Sequence, residues 1–480
     1  MKLSQQSKEI LHLAVPSIVS NITVPLLGLV DLTIVGHMGS ETYIAAIAVG
    51  SMLFNILYWT MGFLRMGTSG RTSQALGRKD YAALRHEFRH ALLTSSSIAL
   101  GLIVLQRLVR WLAITIMGPS AVVTPLVYTY FDILIWGAPA MLGIYGLTGW
   151  SVGMQSTKIP MTVAIFQNVV NIVASLTFVY VCGMKISGVA LGTLVAQWSG
   201  FLLCLWLVNK KRRSLPKVTL SSSPVGGSFA VGHDGGDSFE KFAVGPDGLT
   251  KPIDHQVRKH TDLDIFLRTL CLIVVNLFFT SAGARQGDMM LAVNTLLMTF
   301  YTLFSYVMDG FAFAAEALCG KLYGAKDHDG LHREIRAIFR WGVVMTVLFT
   351  VVYVVGGRPF LGLITSDQGV IAAAMSFYFW ACLIPLCGVA AFLYDGIFIG
   401  LTATRGMLLS AFTATVSFFA IFIPGAAIVG QGAAVNHFLW LAFLIYMSMR
   451  GVMQYFILQR ITQSSSSASP APHQSSSSRS

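Results

Sequence analysis

Charge is the scarcest ingredient of this chain. Only 11% of its 480 residues are charged and 54% are hydrophobic, whereas soluble domains carry about 25% charged residues. So little charge cannot cover a water-facing surface, which excludes an ordinary soluble domain and implies an all-α polytopic membrane protein. Motifs of reactive chemistry are missing as well. The six cysteines (Cys182, Cys204, Cys271, Cys319, Cys382, Cys387) fall in apolar runs, with no CxxC and no Cys/His cluster. Neither a zinc site nor a disulfide framework follows from them. There is no HExxH, and His86, His90, His328 and His332 stand beside basic residues in polar connections. That argues against a membrane enzyme and against a bound cofactor.

Acids are outnumbered by bases, 21 to 33, for a net charge of +12. The bases lie in short connections between apolar runs, which is the positive-inside pattern and not a nucleic-acid module. The apolar runs cover about 10–36, 43–66, 90–105, 122–147, 159–182 and 187–208, then 264–283, 289–319, 336–356, 371–399, 404–429 and 433–458. By the usual length criterion these are about twelve transmembrane helices. Connections on one side hold Arg71, Arg78, Lys79, Arg85, Arg89, Lys158, Lys210 to Arg213, Lys321, Lys326, Arg333, Arg336 and Arg405; the other side has little beyond Arg107, Arg110, Lys185, Arg285 and Arg358. The bias places both termini in the cytoplasm, with the chain in a bacterial-type inner membrane. The start, MKLSQQSKE, is too polar for a cleaved signal peptide.

The organisation expected is a six-helix lobe over 1–209, a cytoplasmic linker over 210–262, a second six-helix lobe over 263–461 and a disordered Ser-rich tail over 462–480. Within the linker FAVGHDG (229–235) recurs as FAVGPDG (242–248), suggesting a hairpin of two strands with Asp-Gly turns. The lobes repeat each other. GRKDYAALRHEFR (77–89) aligns with GAKDHDGLHREIR (324–336), and the same shift carries Gly149, Gly153, Thr157 and Lys158 onto Gly396, Gly400, Thr404 and Arg405. With six spans per copy, the two are related by an axis along the membrane normal.

One residue of the first run stands out. Between Ile10 and Gly36 lie Pro16, Asn21, Pro25 and a single carboxylate, Asp31. An acid at membrane depth costs about 2.5–3.5 kcal/mol on insertion scales and marks an ion or proton pathway; at headgroup level it would mean little. Each proline removes a backbone donor and gives the helix a place to bend. Asn168, Asn171 and Ser175 share one face of the fifth span and could bond Asp31 in either protonation state. Equally, a polar stripe of this kind can simply pack helices together. In the second lobe Arg268, Asn276, Asp309 and Glu316 are candidates, the two acids lying two turns apart on one face. Arg268 could pair with one of them or meet substrate. Asp395 is a weaker candidate and Asp132 an interfacial one.

These residues resemble a known family. Pro16, VDLTIVGHMG (30–39), the two GxKD loops and the GxxxG motifs before Lys158 and Arg405 look like the multidrug and toxic compound extrusion (MATE) family. DGFAFAAEALCGKLYGAKD (309–327), with LRTL (267–270), looks like its DinF-like branch. The resemblance covers about residues 8–460. It implies two pseudo-symmetric six-helix bundles in a V, exporting amphipathic, often cationic compounds in exchange for protons or sodium. It makes Asp31 the ion-coupling acid, Pro16 the bend, and a monomer with small-molecule substrates and membrane lipid as partners. A second acid common on the fifth helix of relatives is replaced here by Ser175, so Asp31 must act with neutral partners. Protons are favoured over sodium. A lipid-linked oligosaccharide flippase of the same superfamily is the alternative, but only Arg268 is an obvious basic residue for its cavity.

Overall fold

The computed structural model describes residues 4–36, 41–216, 243–244, 250–251, 255–430 and 432–467. The first half runs α1 (Gln5–Gly36), α2 (Glu41–Thr60), α3 (Phe63–Gly77), α4 (Tyr81–Val104), α5 (Gln106–Met117), α6 (Thr124–Leu134), α7 (Ala138–Gly153), α8 (Lys158–Leu176) and α9 (Ile186–Arg213). The ladder β1 (Ala243–Val244) with β2 (Thr250–Lys251) follows. The second half runs α10 (His255–Arg285), α11 (Asp288–Gly324), α12 (His328–Ile364), α13 (Gln368–Met375), α14 (Tyr378–Gly400), α15 (Thr404–Val429) and α16 (Ala433–Ser467).

Among the described residues ten helices, some built from two successive elements, are long and apolar enough to span a membrane. The pair α4 and α5, bent by 69°, makes an eleventh; the expected count of about twelve also includes the run of α1, a 32-residue helix. The bend corrects the expected outer loop: Arg107 and Arg110 stand on α5, a short helix with no buried residue. The linker is shorter than 210–262, because α9 continues to Arg213 and α10 starts at His255. In the sequence Pro216 follows α9 and Pro252 precedes α10, each removing a backbone donor. The strand ladder flanks the second Asp-Gly pair of the sequence, pairing Ala243 with Lys251. The first copy of that motif lies outside the described residues. So does the tail from 468 onward, while α16 itself reaches Ser467, since no Gly or Pro interrupts it after Ile461.

The duplication is visible in the backbone. Four described non-glycine residues have positive φ, and they form two pairs under the 247-residue shift that takes Gly77 to Gly324: Lys79 (58°) with Lys326 (60°), and Gln155 (56°) with Thr402 (53°). At the first pair the helix ends alike. Asp80 N donates to Ala75 O and Asp327 N to Leu322 O, both at 3.0 Å, which is a Schellman closure with lysine where glycine is usual. Asp80 then caps the next helix through Ala83 N at 2.9 Å, and Asp327 through Gly330 N at 2.8 Å. The GxKD motif is thus a stop signal joined to a start signal.

The chain divides into two compact units that cut across the sequence halves. One comprises Met1–Thr269, Asp309–Ile338 and Ile399–Thr402; the other comprises Leu270–Met308, Phe339–Phe398 and Ala403–Ser480. The first unit draws in the C-terminal half of α11 because small residues let it lie against α3. A Cβ added at Gly77 would meet Lys321 O at 1.9 Å, and one at Gly324 would meet Gln74 O at 2.2 Å. Gln74 and Lys321 are themselves equivalent under the shift, so the contact is reciprocal. Gln74 Nε2 also donates to Gly400 O at 2.9 Å. Elsewhere in this unit Trp150 is fully buried and donates to Leu84 O at 2.8 Å.

Candidate functional site

Asp31 is buried, with 4% of its surface exposed. It does not face lipid. α1 packs along α8 and α2, and α8 packs most closely on α9. The reason is a ladder of small residues on α9, Gly188, Gly192, Ala196 and Gly200, each one turn from the next. At Gly192 the two backbones approach most closely: an added Cβ would meet Ser175 N at 2.6 Å. This brings the next residue, Thr193, against Asn171 and Asp31.

A chain of hydrogen bonds follows. Asn171 Nδ2 donates to Thr193 Oγ1 at 2.9 Å. Thr193 Oγ1 lies 3.2 Å from Asp31 Oδ2 and 3.1 Å from Val189 O. A hydroxyl has one proton, so Thr193 donates to one of these acceptors at a time. Ionised Asp31 takes that donation. Protonated Asp31 can give its own hydrogen bond to Thr193 Oγ1, whose proton then turns to Val189 O. The same three side chains therefore accommodate both states of the carboxyl group. Asp31 Oδ1, Asn171 Oδ1 and Ser175 Oγ, all buried, have no partner among the described residues. The Tyr130 phenol is within electrostatic reach of Asp31 and 3.3 Å from Ser51 Oγ.

Other candidates fall elsewhere. Asn168 Nδ2 donates to Thr23 O on α1 and to Ala164 O on its own helix, both at 3.0 Å. It ties α8 to the α1 backbone two residues before Pro25 instead of reaching Asp31. α1 is continuously helical through Pro16 and Pro25, Pro16 being buried and Asn21 half-buried. Asn276 donates to Leu272 O of its own helix at 2.9 Å. Glu316 is fully buried, and its ion pair is with Arg65 of α3 at 3.3 Å, not with Arg268. The Arg65 guanidinium also lies over the Phe313 ring, 4.1 Å from its centroid. Arg268 is buried and Asp309 half-buried. Asp395 is held by Arg450 at 2.5 Å and Gln454 at 2.6 Å. Asp132 is half exposed and pairs with Arg110, in keeping with an interfacial position.

The equivalent positions in the second half have another chemistry. The 247-residue shift turns Asp31, Asn171, Ser175 and Thr193 into Phe278, Phe418, Phe422 and Trp440. Phe278 meets Phe418 edge-on at 5.8 Å and Phe422 at 5.4 Å. One copy of the scaffold holds a polar site and the other an aromatic cluster.

The MatE family pattern matches residues 16–177 and, a second time, 265–426. The chain belongs to the MatE family. It is 33% identical over 460 residues to DNA damage-inducible protein F of Escherichia coli (strain K12), covering 95% of this chain and 93% of that one. It is 23% identical to a probable multidrug resistance protein NorM of Photorhabdus laumondii, covering 84% of each. In fold it is similar to a solved MATE structure in the bent conformation, with a TM-score of 0.80 at 17% identity over 97% of both chains. A MATE transporter in the outward-facing conformation aligns with a TM-score of 0.77 at 17% identity, covering 97% of this chain and 98% of that one. As a MatE protein it is a multi-pass membrane transporter and not an enzyme.

Proposed function

We propose that this MatE protein is a multidrug efflux antiporter of the bacterial-type inner membrane. It exports amphipathic, often cationic compounds in exchange for protons, with Asp31 as the coupling residue. The observation that carries this reading is the Asp31–Thr193–Asn171 chain, which has hydrogen-bond partners ready for the ionised and the protonated carboxyl group alike. Asp31 is the one carboxylate in this hydrogen-bond chain. A single carboxylate balances the charge of one proton or one sodium ion, and the hydrogen bonds ready for the protonated carboxyl group favour the proton.

In this cycle the ionised acid accepts cationic substrate from the cytoplasm. Proton uptake from outside removes the charge, α1 bends at Pro16 and Pro25, and the substrate leaves. Arg268, Asn276, Asp309 and Glu316 are not assigned to ion binding. The aromatic replacement of the site in the second half supports one ion-coupling centre per chain. Both termini are taken as cytoplasmic from the distribution of basic residues.

The test is efflux from cells and uptake into everted vesicles with a panel of cationic dyes, under imposed pH or sodium gradients. Asp31→Asn should abolish transport with expression unchanged, and substrate addition in detergent should release protons at low sodium. Full dye resistance in the mutant, or proton release only when sodium is present, would overturn the assignment.

A further inference from the structure

We infer that the inner ends of α4 and α9 form a binding site for an anionic phospholipid. Arg212 is held within repulsive range of Arg89, Arg213 and Arg85. The fold itself imposes this crowding. The Arg212 guanidinium lies over the Phe88 ring of α4, 4.6 Å from its centroid, and is fixed by Asn209 Oδ1 at 2.7 Å. Arg85 Nη2 donates to Pro216 O at 2.8 Å. None of the four arginines has a carboxylate within 4.0 Å among the described residues; the neighbouring acid, Glu87, is engaged by Arg71 at 3.0 Å.

The helix dipole accounts for cations in the last turn of α9, where Lys210, Lys211, Arg212 and Arg213 stand. It does not account for Arg85 and Arg89, which lie towards the N-terminal end of α4, where a dipole does not favour positive charge. Four like charges gathered without a counter-charge among the described residues call for an anion.

The occupant is identified by what adjoins the charges. Along α4 the face of Arg85 and Arg89 continues into Leu93, Leu100 and Val104, all exposed. Along α9 the face of Arg213 continues at helical spacing into Trp206, Leu202 and Val195, again exposed. Lys210 Nζ lies 5.5 Å from the centroid of the Trp206 ring, marking the depth at which headgroup gives way to hydrocarbon. A positive end joined to two apolar stripes matches a phosphate headgroup with acyl chains, not a free anion. Basic pockets between membrane helices recognise lipid headgroups in this way. The second half offers a built-in contrast. Under the 247-residue shift Arg85 becomes His332 and Arg212 becomes Gln459, and only Arg336 and Arg460 of the set remain.

The proposal needs the chain to be a membrane protein but not the coupling role of Asp31. Its test is read in detergent, so it and the transport reading can fail separately. Purified full-length protein is titrated with phosphatidylglycerol or phosphatidylcholine of the same acyl chains, and bound lipid is counted by native mass spectrometry. Phosphatidylglycerol should bind at least tenfold more tightly. Each basic residue near an anionic surface is worth about fivefold, so Arg85→Gln/Arg89→Gln/Arg213→Gln should weaken it by about a hundredfold. The matching triple lysine variant should retain binding, and Arg336→Gln/Arg460→Gln should leave it unchanged. Equal affinity for the two lipids, or an unaltered triple glutamine variant, would overturn the site. So would displacement by millimolar inorganic phosphate, which would identify a small-anion site. Binding seen only after removal of residues 217–254 would make that segment the occupant and overturn it too.

Discussion

The carboxylate of Glu316 and the guanidinium of Arg65 lie 3.3 Å apart although 251 residues separate them in the chain. Glu316 is shielded almost completely, its side chain 1% exposed against 14% for Arg65. Removing one member of a buried pair strands the other charge, at about 3–5 kcal/mol, while removing both is often close to neutral. Arg65→Met should therefore lower the melting temperature in detergent markedly, and Arg65→Met/Glu316→Gln should recover most of the loss. An Arg65→Met protein as stable as the parent would remove the pair from the account.

Thr193 is the hinge of the polar chain at Asp31. Hydrogen bonds to charged groups contribute about 1.5–3 kcal/mol, so Thr193→Val should slow ion-driven efflux by tenfold or more with expression intact. Thr193→Ser keeps the hydroxyl and should keep most of the rate. Equal rates for the two variants in everted vesicles would show that the hydroxyl has no part in coupling.

The approach of α9 to α8 depends on the missing side chain at Gly192. A Cβ there meets Ser175 N at 2.6 Å and Ser175 Oγ at 2.2 Å, and overpacking of this kind costs about 1–3 kcal/mol. Gly192→Val should lower the melting temperature and transport together. Loss of transport with unchanged stability would mean that the ladder of small residues does not hold these helices in register.

Gly77 and Gly324 make equivalent contacts, so their substitutions should behave alike. Gly77→Ala and Gly324→Ala should each destabilise the packing of α3 on α11 and raise the reactivity of a cysteine introduced at Ser73 towards a water-soluble maleimide. A large effect from one glycine and none from the other would contradict the reciprocal contact.

The GxKD loops were legible because a left-handed stop followed by an aspartate cap leaves a fixed spacing in the sequence. Asp31 was legible because a carboxylate is conspicuous in an apolar run. Thr193 was not, since a threonine in a membrane helix has no such rarity; the one-turn spacing of Gly188, Gly192, Ala196 and Gly200, passed over in the sequence reading, is the signal that could have found it. Arg65 is not singled out by the sequence, since it stands at the end of an apolar run. Its partnership with Glu316 depends on how α11 packs against α3, which no local pattern specifies. Asn168 shared the right helical face with Asn171 but bonds the α1 backbone, because periodicity sets a direction and not a depth. The bend between α4 and α5 was missed because the residues on both sides remain good helix formers.

Phe278 standing where the first repeat has Asp31 means that the two copies are not interchangeable parts. A chain fused from two first halves would gain a second acid at this position, and on the proposed reading its exchange ratio should change with it. One fused from two second halves would keep the turns and caps but have nothing at these positions with which to carry a proton.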